Sequence, residues 1–84
     1  MEIIRVKEWL LDKTQQDARS NHAWIDILER NENGTAKIED GYIKIAAEVL
    51  KETEKAINVK ISCDGTLGAN WTYAWLPKSQ IIRA

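Results

Sequence analysis

The sequence predicts an α+β domain in which N-terminal helical segments pack on a C-terminal three-stranded antiparallel meander, with a small barrel-like sheet as an alternative form of the meander. Three observations lead to this class. Apolar residues recur at helical spacing early in the chain, they alternate with polar residues in the second half, and turn residues separate the alternating stretches. With 84 residues, the chain is expected to form one domain, residues 1–84, with a small core.

The first segment, residues 3–13, has an apolar stripe at helical spacing. Ile3, Val6 and Leu10 lie on this stripe, and most of the charged residues between them lie off it. Isoleucine and valine are also good strand formers. Helix and strand therefore both remain open for this segment, with a helix preferred.

A second helix is predicted over residues 15–30. Thr14 and Asp17 resemble a capping box at its start, and Gly34 is a C-terminal stop. The apolar-face positions that follow the cap are Ala18, His22, Ile25 and Leu28. In the alternative interpretation, the stretch AWIDIL is a strand that leads into a hairpin turn at Asn33-Gly34. The helix is preferred over this strand.

The second half predicts three strands, the first two because apolar residues occupy alternate positions and the third because it lies between a loop with two glycines and a proline. They are Tyr42–Leu50, Lys55–Ser62 and Trp71–Leu76. The polar stretch KETE connects the first two, and CDGTLGAN (residues 63–70) is a hairpin loop before the third. Pro77 ends the third strand because it has no N–H for the ladder. Helix formers in IAAEVLKETEKA leave a helix over 43–55 as the alternative.

The third strand separates its side chains by parity. One face carries Trp71, Tyr73 and Trp75, and the other carries Thr72, Ala74 and Leu76. An inward aromatic face would form the core, whereas an outward one would form a binding surface. Because the chain has no phenylalanine, we expect Trp75 in the core. Trp71 and Tyr73 remain undecided, and Trp71, at the loop edge, is the better candidate for exposure.

The stretch AWLPKSQI, residues 74–81, resembles the closing segment of Src-homology-3-type barrels, where a strand runs into a proline, a polar turn and an aliphatic residue. The resemblance implies one turn after Pro77 and the return of Ile81 to the core. It also makes Trp75, Pro77 and Tyr73 candidate residues of a peptide-binding groove.

The longer stretch ETEKAINV…AWLPKSQI, residues 52–81, is similar to a hairpin and proline-turn pattern in small uncharacterised proteins of bacteria and their phages. This resemblance implies a compact module from a bacterial or mobile-element setting, and it implies no chemistry.

Composition argues against an enzyme. His22 is the only histidine and Cys63 the only cysteine, so the chain can form neither an internal disulfide nor an ordinary zinc site. The acidic pair Glu39-Asp40 is expected to be a solvated surface. The fragment Asp64-Gly65-Thr66 is read as part of a hairpin loop rather than a phosphotransfer site. No cofactor and no metal are expected.

Charge and hydropathy limit the partners. The net charge is −1, from 12 basic and 13 acidic residues, which argues against strong generic attraction to nucleic acid. No apolar run approaches the ~20 residues needed to span a bilayer. The N-terminal stretch MEIIRVKEWLLDK does not read as a signal peptide, so a cytoplasmic location is expected.

Two functions remain. The first is a small protein-binding accessory module, such as a phage or mobile-element protein that inhibits a larger host machine, with anti-CRISPR inhibitors as the analogy. The alternative is a single-stranded DNA- or RNA-binding module that stacks bases on aromatic rings and contacts phosphates through lysines. Lys60 and Lys78 are expected to lie near each other across adjacent strands. The candidate binding residues are Trp71, Tyr73, Trp75, Pro77, Lys60, Lys78, Tyr42 and Lys44. A homodimer through an edge strand or through the N-terminal helices is a further expectation.

Overall fold

The computed structural model describes residues 1–65 and 70–83, which form six strands, one α-helix and one 3-10 turn. The elements are β1 Glu2–Lys7, α1 Glu8–Arg19, β2 Trp24–Ile25, β3 Tyr42–Glu52, β4 Ala56–Asp64, β5 Trp71–Pro77, the 3-10 turn Lys78–Gln80 and β6 Ile81–Arg83. The predicted hairpin loop 63–70 includes residues 66–69, which lie outside the described residues.

All strands belong to one antiparallel sheet system with the order β5-β4-β3-β1-β6 and with β2 on β4. The predicted fold, helical segments on a three-stranded meander, is therefore wrong. The meander itself is present, since β3, β4 and β5 pair in sequence order. The predicted fold class is wrong at the N-terminus, where the chain begins with a strand, β1, that lies in the sheet between β3 and β6. In the described residues, β5 and β6 are joined by the 3-10 turn and are not paired, so the sheet does not close.

Residues 3–13 divide between a strand and a helix. In β1, Ile4 and Val6 are buried whereas Ile3 and Arg5 are exposed, which is the period of two expected of a half-buried strand. The backbone changes to helical geometry after Lys7. The preferred helix over 3–13 is wrong in its first half, because the five strand residues in that range are too few to reveal a period of two.

The predicted helix over 15–30 is also wrong in its boundaries, since α1 ends at Arg19. Thr14 is not a cap: it lies buried inside α1, where its Oγ1 donates to the Leu10 carbonyl at 2.8 Å. This bond to the preceding turn is the usual arrangement for a threonine inside a helix.

The segment after α1 is extended. Ile25 pairs with Cys63 of β4, and Ile27 pairs with Ile45 of β3, so this segment lies between the two strands where they separate. A turn at Asn31–Thr35 follows, with Gly34 at φ 86°. The alternative interpretation, a strand leading into a turn at Asn33-Gly34, is confirmed only for the turn, across which Arg30 pairs with Ala36. The stretch AWIDIL pairs with β4 and β3 instead of with the residues after the turn.

The core lies between the inner face of the sheet and α1. The buried apolar residues of the sheet are Ile4, Val6, Ile25, Ile43, Ile45, Ala47, Ile57, Val59, Ile61, Cys63, Leu76 and Ile81. The helix contributes Leu10, Leu11, Thr14 and Ala18. A shift of register between Val49 and Lys51 marks a bulge in β3, and bulges bend strands. The bulge lies in the half of β3 that pairs with β4, residues 47–52, whereas the first half, residues 42–47, pairs with β1.

Candidate partner-binding surface

The outer face of β5 carries three exposed aromatic side chains, which we call the aromatic face: Trp71, Tyr73 and Trp75, with 41%, 63% and 52% of their surface exposed. On the opposite face, Thr72 and Leu76 are buried and Ala74 is half-buried. The predicted parity of this strand is therefore confirmed. The predicted burial of Trp75 is wrong, because Leu76 takes the inward position and a strand cannot turn two consecutive side chains to the same face.

The neighbouring strand adds a cation to the aromatic face. In the ladder, Lys60 of β4 lies opposite Tyr73, and Ser62 lies opposite Trp71. The Lys60 Nζ stands 4.1 Å from the centroid of the Trp71 ring, which is within cation–π range. The ammonium group of Lys60 therefore lies over the Trp71 ring, which keeps 41% of its surface exposed.

A trough separates the aromatic face from the helix. One cavity of about 400 Å³ is lined by Trp9, Leu10, Lys13, Thr14, Asp17, Tyr73, Ala74, Trp75 and Pro77. A second of about 580 Å³ is lined by Asp17, Asn21, Trp71, Thr72 and Tyr73. Because both share Asp17 and Tyr73, we treat them as one feature, the α1–β5 trough. The Trp9 Nε1 donates to the Gln80 Oε1 at 3.3 Å, which ties the helix to the 3-10 turn at one end of the trough.

The remaining predicted binding residues lie elsewhere. Tyr42 and Lys44 belong to the half of β3 that pairs with β1. The Lys44 Nζ forms an ion pair of 2.7 Å with the Glu29 Oε1. This pairing lowers the pKa of the Glu29 carboxyl, first through the hydrogen bond from Lys44. The charge of Lys44 is thus largely matched by a neighbour.

Lys78 is also remote from Lys60, contrary to expectation. Its N–H bonds to the carbonyl of Lys55, five positions from Lys60, which corresponds to about 17 Å along a strand. The Lys78 Nζ lies 2.6 Å from the Glu52 Oε2, and this contact is the largest cause of the lowered pKa of the Glu52 carboxyl. Of the proposed lysines, Lys60 is the one that joins the aromatic face.

Cys63 is buried in β4. Burial, with a smaller contribution from the negative charge of Asp26, raises the pKa of its thiol to about 11. The thiol is therefore protonated at neutral pH, and the thiolate that a nucleophile or metal ligand requires is scarce. Within the ranges 1–65 and 70–83, no group of three or more His, Cys, Asp or Glu side chains could hold a metal ion.

Two features were not recognised in the sequence. One is a stripe of side chains along the trough, formed by Trp9, Lys13 and Asp17. These residues are spaced four apart, so they share one face of a helix, but this spacing becomes meaningful only when α1 is known to run from 8 to 19. A second aromatic site lies on the other side of the helix, where the Arg19 guanidinium is 5.0 Å from the centroid of the Trp24 ring.

Comparison with protein-family models finds no match, and comparisons with curated proteins and with solved structures also find none. The resemblances suggested by residues 74–81 and 52–81 therefore stay predictions. At the level of residues, one 3-10 turn follows Pro77 and Ile81 is buried. Among the described helices, none is long and apolar enough to cross a membrane.

Proposed function

We propose that this protein is a non-enzymatic binding module that engages a partner protein through the aromatic face of β5. The observation that supports this function is the set of three large aromatic side chains exposed side by side on one strand. Exposed Trp and Tyr side chains dominate the binding energy of many protein interfaces. A partner that covered them would remove a continuous apolar patch from water.

The resemblances from the sequence give this proposal a setting. The similarity of residues 52–81 to small bacterial and phage proteins supports a compact module from a bacterial or mobile-element setting. Within that setting, we propose a cytoplasmic protein that binds and inhibits a larger host machine. The Src-homology-3-type resemblance supports a groove, since Tyr73, Trp75 and Pro77 all line the α1–β5 trough. The anti-CRISPR analogy remains one form of this proposal.

The test is affinity capture from a bacterial lysate with wild-type protein, the double variant Tyr73→Ala/Trp75→Ala and the control Trp24→Ala. Trp24 is similarly exposed but lies outside the aromatic face. A protein captured by both the wild type and the control is identified by mass spectrometry and purified. We expect it to bind the double variant at least tenfold more weakly than the wild type. Equal binding of all three variants would refute the aromatic face as the binding site.

The second candidate function is binding of single-stranded nucleic acid, favoured by the stacking of Lys60 on Trp71. Each stacked base contributes about 1–3 kcal/mol, so two exposed rings and one lysine could hold a short strand. The test is a titration of labelled single-stranded DNA and RNA at low and moderate salt with tryptophan fluorescence as the signal. Salt-dependent quenching that Trp71→Ala/Lys60→Ala abolishes would favour this function. Without quenching at tens of micromolar protein, it is rejected.

A further inference from the structure

The hydrogen-bond pattern between β4 and β5 fixes which main-chain groups of β5 face outward. The Cys63 N–H donates to the Asn70 carbonyl at 2.9 Å, and the Lys78 N–H donates to the Lys55 carbonyl at 2.8 Å. Both pairs continue the register of the ladder, and bonded and non-bonded pairs alternate in an antiparallel ladder. Asn70 and Lys78 direct their main-chain groups toward β4, and so does every second residue between them. The residues that direct their N–H and C=O groups away from β4 are therefore Trp71, Tyr73, Trp75 and Pro77, of which Pro77 has a carbonyl alone.

This edge of β5 is open. Among residues 1–65 and 70–83, β4 is the strand that pairs with β5, and none pairs with its other edge. The edge from Trp71 to Pro77 is about 20 Å long and offers donors and acceptors in alternation. An open strand edge is a template for a strand from another chain. Pro77 ends the template because it offers no N–H.

The α1–β5 trough lies beside this open edge along its length. Its apolar floor includes Leu10, which is buried, and Ala74, which is half-buried. The small side chain of Ala74 leaves room above this floor. The rim on the helix side carries opposite charges, since Lys13 and Asp17 line the cavity one helical turn apart.

We propose that the α1–β5 trough receives an extended segment of a partner protein, which adds to the open edge of β5 as a further strand. This inference rests on the proposed function and states how the partner binds. Side chains of an added strand alternate between the two faces of the sheet. One set would extend the aromatic face, and the other would enter the trough, where an apolar side chain fits over Ala74 and Leu10.

A second copy of this chain fits the trough poorly. Its β5 would bring its own α1 along the same edge, so two helices would have to share one trough. A single extended segment brings no such helix. The occupant is therefore a segment of about five to seven residues, the length of an ordinary strand, with an apolar side chain at the position that faces Ala74.

The experiment uses a display library of random linear 12-residue peptides, selected on the wild-type protein. Affinities of the enriched peptides are measured for wild type, Tyr73→Pro and Tyr73→Ala. The Tyr73 N–H points away from β4, so proline removes an edge donor and spares the ladder, whereas alanine removes the ring and keeps the donor. Ala74→Leu, which fills the trough, serves as a second variant if Tyr73→Pro fails to fold.

Hydrogen exchange supplies an independent measurement. We expect the enriched peptides to slow exchange of the Trp71, Tyr73 and Trp75 amides, and to bind Tyr73→Pro or Ala74→Leu at least tenfold more weakly than Tyr73→Ala. Peptides that bind without protecting these amides would overturn strand addition and leave the aromatic-face function standing. A failure to enrich any peptide also overturns strand addition. It leaves the proposed function standing, because the capture experiment tests the aromatic face separately. Protection of the same amides by concentration-dependent dimerisation would assign the edge to a second copy and also overturn the proposal.

Discussion

Trp75 and Leu76 are neighbours in β5 with opposite environments. Leu76 is 1% exposed and belongs to the core, whereas Trp75 is half exposed on the aromatic face. The size of a side chain is thus a poor guide to its place here. The core of this domain is built almost entirely from aliphatic residues, whereas the four tryptophans and Tyr73 are exposed.

This contrast predicts different effects of truncation at the two positions. Leu76→Ala should lower the free energy of unfolding by about 2–5 kcal/mol, because it leaves a cavity in the core. Trp75→Ala should lower it by about 1 kcal/mol, because half of the side chain is already exposed to solvent and its removal leaves no core cavity. Urea unfolding monitored by circular dichroism measures both. A larger loss for Trp75→Ala than for Leu76→Ala would contradict the outward orientation of the aromatic face.

At the scale of elements, a two-residue turn determines how β3 begins. Asp40 and Gly41 have φ of 52° and 85°, and Glu39 and Tyr42 on either side exchange hydrogen bonds of 2.9 and 2.8 Å. Two consecutive positive φ values are the mark of the tight hairpin turn that matches the twist of strands. The Gly41 carbonyl also accepts from the Glu8 N–H at 3.0 Å, so the turn contacts the start of α1.

Gly41→Ala should therefore destabilise the protein through its backbone alone. A Cβ at Gly41 meets no atom within 4 Å, so the loss of about 1–2 kcal/mol comes from the left-handed conformation. Gly41→Asn is the matched control, since asparagine tolerates this conformation better, and it should lose less. Thermal unfolding should show the difference, at about 4–8 °C per kcal/mol. Equal melting temperatures for the two variants would be inconsistent with this backbone explanation.

At the scale of the whole molecule, an ion-pair cluster links the chain ends. The Arg83 guanidinium of β6 contacts both carboxylate oxygens of Glu2 at 2.9 and 3.0 Å. It also contacts Glu52 at 3.0 Å, and Lys78 shares that carboxylate. The hydrogen bond from Arg83 is the main cause of the lowered pKa of Glu2. The cluster joins β1, β3, β6 and the 3-10 turn.

The cluster predicts a loss of stability in acid. A carboxyl whose pKa is lower in the folded state than its ordinary 4.5 stabilises the fold above that value, and the contribution disappears as the pH falls through the folded pKa. The free energy of unfolding of the wild type should therefore decrease below about pH 4.5, and the decrease should be shallower in Arg83→Gln. Arg5→Gln, on the exposed face of β1, is the control and should follow the wild type. Identical pH profiles for wild type and Arg83→Gln would rule out this role of the cluster.

The sequence predicted the parts of the fold that repeat a local pattern. Strands β3, β4 and β5 were placed to within about two residues. The period of two extends over seven positions in β3 and β4, and a glycine-containing loop and Pro77 bound β5. The turn after Pro77 and the burial of Ile81 were expected from the resemblance of residues 74–81 rather than from a repeating pattern. The N-terminal half could not be predicted in this way. There β1 is short, and the extended segment at 24–28 is held by β3 and β4 rather than by its own periodicity.

By itself the sequence determined that Trp71, Tyr73 and Trp75 share one face of a strand, since alternation is a property of the backbone. Only the tertiary structure decided that this face points to solvent, because burial depends on what packs against a strand. It also decided that Lys60 joins the aromatic face while Lys44 and Lys78 pair with glutamates, and that α1 lies beside the open edge of β5. These contacts join residues distant in the chain, and no local pattern records them.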